Sequence, residues 1–166
     1  TDTRIAEALA LAAAARCGGA VLVTPAIGIG ASGEHQGFAG TLSIGVEVLT
    51  AVLVEVGRSA DWAAGVVFVN GHGGNTAAVR TAVATLVGEG RHVSHWWPSV
   101  SGGDAHAGRT ETSIMLAIAP EVVRPERAAA GATAPLAELI GSLRQDGVRA
   151  VSPNGVLGDP TGATAA

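Results

Sequence analysis

One stretch constrains this chain more than any other: Gly65-Val66-Val67-Phe68-Val69, followed at once by Asn70-Gly71-His72-Gly73-Gly74-Asn75. A short apolar run without polar alternation is the pattern of a strand in a parallel sheet covered on both faces. The glycine-rich turn stops it, and the residues from Thr76 to Val87 predict a helix. The same strand, turn and helix succession recurs along the chain. Ala20 to Thr24 reads as a short strand stopped by Pro25, and Arg91 to Trp96 as a further one. Helices are predicted over Arg4 to Arg16, with Asp2 or Thr3 as N-cap, and over Thr41 to Val56. Two more are predicted, over Gly108 to Ala119, ended at Pro120, and over Ala134 to Gln145. No internal repeat interrupts the order. The expected product is an α/β protein: one three-layer α/β/α domain over residues 1–166, with a mainly parallel sheet.

Composition excludes several classes. Hydrophobic residues make up 48% and charged ones 14%, which is too apolar for a disordered chain. A net charge of −4, with single scattered Lys and Arg, argues against nucleic acid as a partner. No run approaches the roughly 20 apolar residues of a membrane span. The Ala-rich segment from Ile5 to Ala15 carries Glu7 and ends at Arg16, so it reads as a helix and not as an anchor or leader. A single cysteine, Cys17, allows no internal disulfide and suits a reducing, cytoplasmic location. The sequence starts at Thr1-Asp2-Thr3 and stops in a stretch shaped like a helix entry, so the domain reads as truncated at both ends.

In open parallel sheets, ligands bind beyond the carboxyl ends of the strands. His72 lies at one such end and His106 at the next, each in a glycine-flanked turn. Glu111 follows His106 by five residues, on the first turn of a helix that returns it to the same crevice. Asp2 heads the first helix. Spaced His, Asp and Glu of this kind suit an N/O site for a divalent metal, with zinc, iron and manganese all compatible. Each residue alone has a plainer reading. A strand-end histidine is a turn residue, Asp2 a helix cap, and Glu111 a first-turn charge on the helix dipole. Asp104 is best read as a cap, Glu34 and His35 as solvated loop residues, and Trp96 and Trp97 as core or interface. Gly71-His72-Gly73-Gly74 between strand and helix also raises nucleotide binding, but its spacing matches neither GxGxxG nor a phosphate loop.

Two segments carry a family resemblance: Phe68-Val69-Asn70-Gly71-His72-Gly73-Gly74-Asn75 and His106-Ala107-Gly108-Arg109-Thr110-Glu111-Thr112-Ser113. They resemble two signatures of the creatininase (creatinine amidohydrolase) family. Gly33-Glu34-His35-Gln36 with Phe38-Ala39-Gly40-Thr41-Leu42-Ser43 resembles a third, and Asp2-Thr3 the end of the first. The resemblance implies an amidohydrolase with two divalent metal ions and a tendency to form homo-oligomers, typically hexamers. It implies that Asp2 bridges the ions, His72 binds one, and Glu111 binds the other or acts as base. His106 then binds substrate or transfers a proton, and Glu34 and His35 contact substrate. In the family's first motif a Glu and a His stand just before the Asp; this sequence begins after that point. Gly74 stands where creatininase proper has a metal-binding Glu, which puts more weight on Glu111. The likeness is strongest to family members that act as peptidases on a modified precursor peptide of a redox cofactor. It implies removal of a C-terminal Val-Tyr dipeptide. The alternatives are an amidase for a small cyclic amide and a non-catalytic scaffold with the same fold.

Overall fold

The structure, a computed structural model, describes residues 1–165. The chain divides into two compact units, one comprising Asp2–Gly33 and Leu42–Pro98, the other Thr1, Glu34–Thr41 and the chain from Ser99 onward.

The first unit contains the strand, turn and helix succession. In order it holds α1 (Asp2–Arg16), α2 (Gly45–Ser59), β1 (Val66–Val69), α3 (Thr76–Gly88) and β2 (Val93–Trp96). The two strands pair in parallel, with Val66 opposite Val93 and Val69 opposite Trp96, and α3 makes the crossover between them. The ladder extends one step past the strand, where the Asn70 amide donates to the Trp96 carbonyl at 2.8 Å. The core lies between α2 and α3: Leu49, Leu53 and Val54 meet Ala78, Val79, Ala82 and Leu86, with Phe68 and Val93 of the strands against them. Burying a Leu or Val of this kind stabilises the fold by roughly 1.5–3 kcal/mol. Gly57 lets the two helices approach closely, since a Cβ there would collide with the Leu86 side chain.

Three local expectations change. Ala20 to Thr24 forms no strand; it joins no ladder among the described residues, and Leu22 is 76% exposed. Apolar composition alone does not make a strand where no neighbour offers hydrogen bonds. The helix expected from Thr41 begins at Gly45. Ile44 is drawn away, donating to the Gly30 carbonyl at 2.9 Å, and the Ser43 hydroxyl accepts from the Ser32 amide at 2.9 Å. Gly45 itself takes φ of 77°, a left-handed conformation that suits glycine and breaks the helix on its N-terminal side. Finally, β1 is less covered than its unbroken apolar run predicts: Val67 is exposed, and Val66, Phe68 and Val69 are half-buried.

The second unit is built from α4 (Arg109–Ile118), α5 (Leu136–Asp146) and the short α6 (Val148–Val151), with 3₁₀ turns at Gly33–His35, Pro120–Val122 and Pro125–Arg127. Its apolar centre is Leu143, Val148 and Leu157, with Phe38, Ala132, Leu139 and Val151 packed around them. Leu157 also forms an isolated antiparallel bridge with His106. Among the described residues, no helix is long and apolar enough to cross a membrane.

Candidate active site

In the first unit the candidate chemistry gathers at the carboxyl end of β1. Asn70 is buried directly after the strand, and its side chain shapes the turn: its Nδ2 donates to the His72 carbonyl at 2.9 Å, and its Oδ1 accepts from the His72 amide at 3.2 Å. Asn75 closes the turn from the other side. Its Nδ2 donates to Asn70 Oδ1 at 3.3 Å, while its Oδ1 accepts from the Ala31 amide at 2.9 Å. These amides are fully engaged within the fold, which costs less than leaving them buried and unpaired. They hold the loop from Gly30 to Ser32 against the His72 turn.

His72 and Asp2 meet there, with His72 Nδ1 2.9 Å from Asp2 Oδ2. The Nε2 side of the ring faces the Ala31 carbonyl and the Ser32 hydroxyl, each at 3.2 Å. A carbonyl only accepts, so Nε2 is the protonated nitrogen when it engages Ala31. Nδ1 and the Asp2 carboxylate oxygen stand at hydrogen-bonding distance on the other side of the ring, an imidazole and a carboxylate side by side. A backbone carbonyl fixing the far nitrogen of the ring is the arrangement typical of metal-bound histidine. Gly71 makes the approach possible: a Cβ there would sit 2.5 Å from the Asp2 carbonyl oxygen and 3.3 Å from Ala6 Cβ. The room beside this glycine is therefore taken by the start of α1 and is not left for a ligand, while Gly73 is open on its outer face.

In the second unit, four predicted residues come together. His106 Nδ1 lies 3.6 Å from Glu111 Oε2, and His35 Nε2 lies 3.7 Å from Glu34 Oε1. The rings of His35 and His106 are 4.8 Å apart between centroids, inclined at 47°. All four side chains are partly buried, so the expectation of solvated loop positions for Glu34 and His35 does not hold. The reason is the 3₁₀ turn at Gly33–His35, which folds the loop inward; the His35 carbonyl accepts from the Phe38 amide and the Thr41 hydroxyl, both at 3.0 Å.

Glu111 also has a structural task. Its Oε2 accepts from the Ala107 amide at 2.5 Å, and Ala107 adopts φ of 53°, unusual for a residue with a side chain. Gly108 is the N-cap residue of α4, and the Asp104 carboxylate, reaching in from four residues earlier, does the capping by accepting from the Arg109 and Thr110 amides. Burial works to raise the Asp104 carboxyl, but the hydrogen bonds from Thr110 and Arg109 outweigh it and hold the group below its ordinary value. Trp96 is half-exposed at the strand end, and Trp97 packs with His95 and under the Arg80 guanidinium, 5.4 Å from the ring centroid.

The donor types therefore fit a divalent metal, an imidazole with a carboxylate in each unit. Among the described residues, no group of three or more His, Cys, Asp and Glu side chains forms a complete cage. Sequence reasoning missed Ser32, Asn70 and Asn75. The only signal available was short polar side chains flanking a strand-end glycine turn, which reads equally well as ordinary turn chemistry.

The model of the creatininase (creatinine amidohydrolase) family matches residues 1–166, and the chain belongs to that family. Within it, the chain is 58% identical over 173 residues to the mycofactocin precursor peptide peptidase of Mycobacterium ulcerans, covering 99% of this chain and 69% of that protein. Its fold is similar to that of a Bacteroides fragilis protein assigned as a creatinine amidohydrolase, with a TM-score of 0.70 and 24% identity over 99% of this chain and 70% of that one. It is also similar to a mutant creatininase of Zn-Zn type, with a TM-score of 0.58 and 23% identity over 81% of this chain and 61% of that one.

Proposed function

We propose that this chain acts as a metal-dependent mycofactocin precursor peptide peptidase, releasing a C-terminal Val-Tyr dipeptide from the modified precursor. The observation that carries the reading is the 58% identity to a peptidase of that name across nearly the whole chain. The Asp2–His72 pair supports the metal dependence, as it aligns an imidazole nitrogen and a carboxylate oxygen 2.9 Å apart at a strand end.

In this reading Asp2 and His72, and Glu111 as the family resemblance implies, would serve as ligands to two divalent ions, of zinc, iron or manganese. When bound, such ions polarise a scissile carbonyl and bring the pKa of a water near neutrality. The protein's own groups do the rest. Ala31 and Asn70 fix the His72 ring and its turn, so the ligand nitrogen is set before any ion arrives. His106 donates a proton to the leaving amide nitrogen, a task suited to an imidazole because its ordinary pKa lies near neutral pH. The Glu111 carboxylate lies 3.6 Å from His106 Nδ1, on the side of the ring away from any transfer made by Nε2. His35 stands next to His106 and Glu34 next to His35, where a substrate's C-terminal side chains would pass.

The proposal extends to a cytoplasmic homo-oligomer, hexameric as the resemblance implies. Exposed Leu22, Leu42, Val48, Trp62 and Val67 support it by offering apolar surface to bury. The test is to incubate the metal-loaded protein with the precursor peptide and, separately, with creatinine, and to resolve the products by mass. Loss of Val-Tyr from the peptide with creatinine untouched is expected. Turnover of creatinine with the peptide left whole would replace this reading with a small-amide amidase.

A further inference from the structure

His35 has so far been given only a place beside the substrate, yet its surroundings point elsewhere. Its side chain is 19% exposed, less than that of Glu34, His106 or Glu111. One flank of the ring faces Phe38, with centroids 6.2 Å apart, and another faces His106 at 4.8 Å. Both separations fall in the range of roughly 4.5–7 Å in which tilted aromatic rings attract. The contact is built from the core outward. Phe38 and Leu157 belong to the same apolar cluster around Leu143 and Val148. Phe38 is bonded back to the His35 carbonyl, and Leu157 brackets His106, whose carbonyl accepts from the Leu157 amide at 2.8 Å and whose amide donates to the Leu157 carbonyl at 3.2 Å. One packed cluster thus sets the distance between the two imidazoles.

His106 benefits from such a support. Its Nδ1 is 3.6 Å from Glu111 Oε2, and that carboxylate oxygen also accepts from the Ala107 amide. Torsion about the bond to an imidazole is intrinsically broad, so a contact against the ring narrows its tilt. Contact with the face of a second flat ring restricts that tilt. Glu34 Oε1 lies 3.7 Å from His35 Nε2, beside the supporting ring.

We propose that His35 is a positioning residue: its imidazole, backed by Phe38 and Glu34, holds the His106 ring in the orientation from which the proton is delivered. The inference rests on the reading that His106 is the proton donor. Its reach is bounded by that role, as general acid catalysis contributes roughly 100- to 10,000-fold.

The test compares His35→Ala, His35→Phe and His35→Asn in the metal-loaded protein with the precursor peptide, alone and combined with His106→Ala. Loss of positioning predicts that His35→Ala lowers kcat by roughly 10- to 100-fold with KM nearly unchanged. His35→Phe keeps a flat ring and recovers most of that loss, whereas His35→Asn does not. In the His106→Ala background, His35→Ala has no further effect, because the group it positions is gone. Where His35→Ala fails to fold, the contrast between Phe and Asn carries the same information. A rise in KM with kcat unchanged, a Phe variant as slow as Asn at equal thermal midpoint, or losses that multiply with His106→Ala would each overturn the proposal. A fully active His106→Ala protein would instead overturn the proton-donor reading, and the two failures are thereby distinguished.

Discussion

Replacing Gly71 with alanine tests how the fold delivers Asp2 to His72. The new Cβ would lie 2.5 Å from the Asp2 carbonyl oxygen, 3.2 Å from its carbon and 3.3 Å from Ala6 Cβ, where ordinary contact begins at 3.4 Å. Two of these three neighbours are backbone atoms of the first turn of α1, so no flexible side chain can swing aside. Relief requires α1 to retreat by about 1 Å, the scale on which a misplaced group costs about 100-fold in rate. The same retreat carries the 2.9 Å contact between His72 Nδ1 and Asp2 Oδ2 past hydrogen-bond range. Overpacking of this kind destabilises by roughly 1–3 kcal/mol, which leaves most small domains folded. The expected phenotype is therefore a folded protein with a modestly lowered thermal midpoint, reduced bound metal, and kcat/KM down by about 100-fold. The assay pairs metal analysis of the purified variant with its rate of peptide cleavage. A Gly71→Ala protein with full metal content and full rate would refute the reasoning, because it would mean that the closeness of α1 to the turn is irrelevant to the site.

Other outcomes follow from the same geometry. His106→Ala should lower kcat by roughly 100- to 10,000-fold while leaving metal content unchanged, since His106 is assigned to proton transfer and not to ligation. Leu86→Ala should cost roughly 2–5 kcal/mol in denaturant unfolding, as its side chain is fully buried between α2 and α3. Asp104→Ala removes the cap of α4 and should cost roughly 0.5–2 kcal/mol at neutral pH. The Asp104 carboxyl is held below its ordinary value of 3.8 in the fold. Its stabilisation is therefore present above the unfolded value and is lost as the pH falls through the folded one. Acid unfolding curves of the wild type and Asp104→Ala should accordingly converge below about pH 4; curves that remain parallel would contradict the cap assignment.

Much of this was readable from residue order, for identifiable reasons. The run Gly65 to Val69 and the turn after it signalled a strand end, and a strand end in a parallel sheet is where ligand-facing residues belong. That rule put His72 forward as a candidate and the helix starts put Asp2 and Glu111 forward; the structure pairs Asp2 with His72 and Glu111 with His106. The partners that hold them were not readable. Ala31 meets Asn75 across 44 residues of sequence, and His72 meets Ala31 across 41, so no local pattern marks either contact. The inward turn at Gly33–His35 was missed because Gly33, Glu34 and His35 are loop formers wherever they fall; the packing of Phe38 against the Leu157 cluster, which no local pattern marks, leaves Glu34 and His35 partly covered. Ala20 to Thr24 failed in the opposite sense. Its residues favour strands, but propensity has no effect without a neighbour to pair with. The late start of α2 belongs to the same class, since the bond from Ile44 to the Gly30 carbonyl joins the left-handed Gly45 in setting it.

The central claim is that this chain cleaves a peptide through a metal site built on Asp2 and His72. It is tested most directly by the mass of the mycofactocin precursor peptide after incubation with three samples: the metal-loaded protein, the same protein after chelation, and folded His72→Ala. The account predicts loss of a Val-Tyr dipeptide in the first sample, none in the second until metal is restored, and almost none in the third. Equal cleavage in all three, or an intact peptide with the folded and metal-loaded protein, would contradict it.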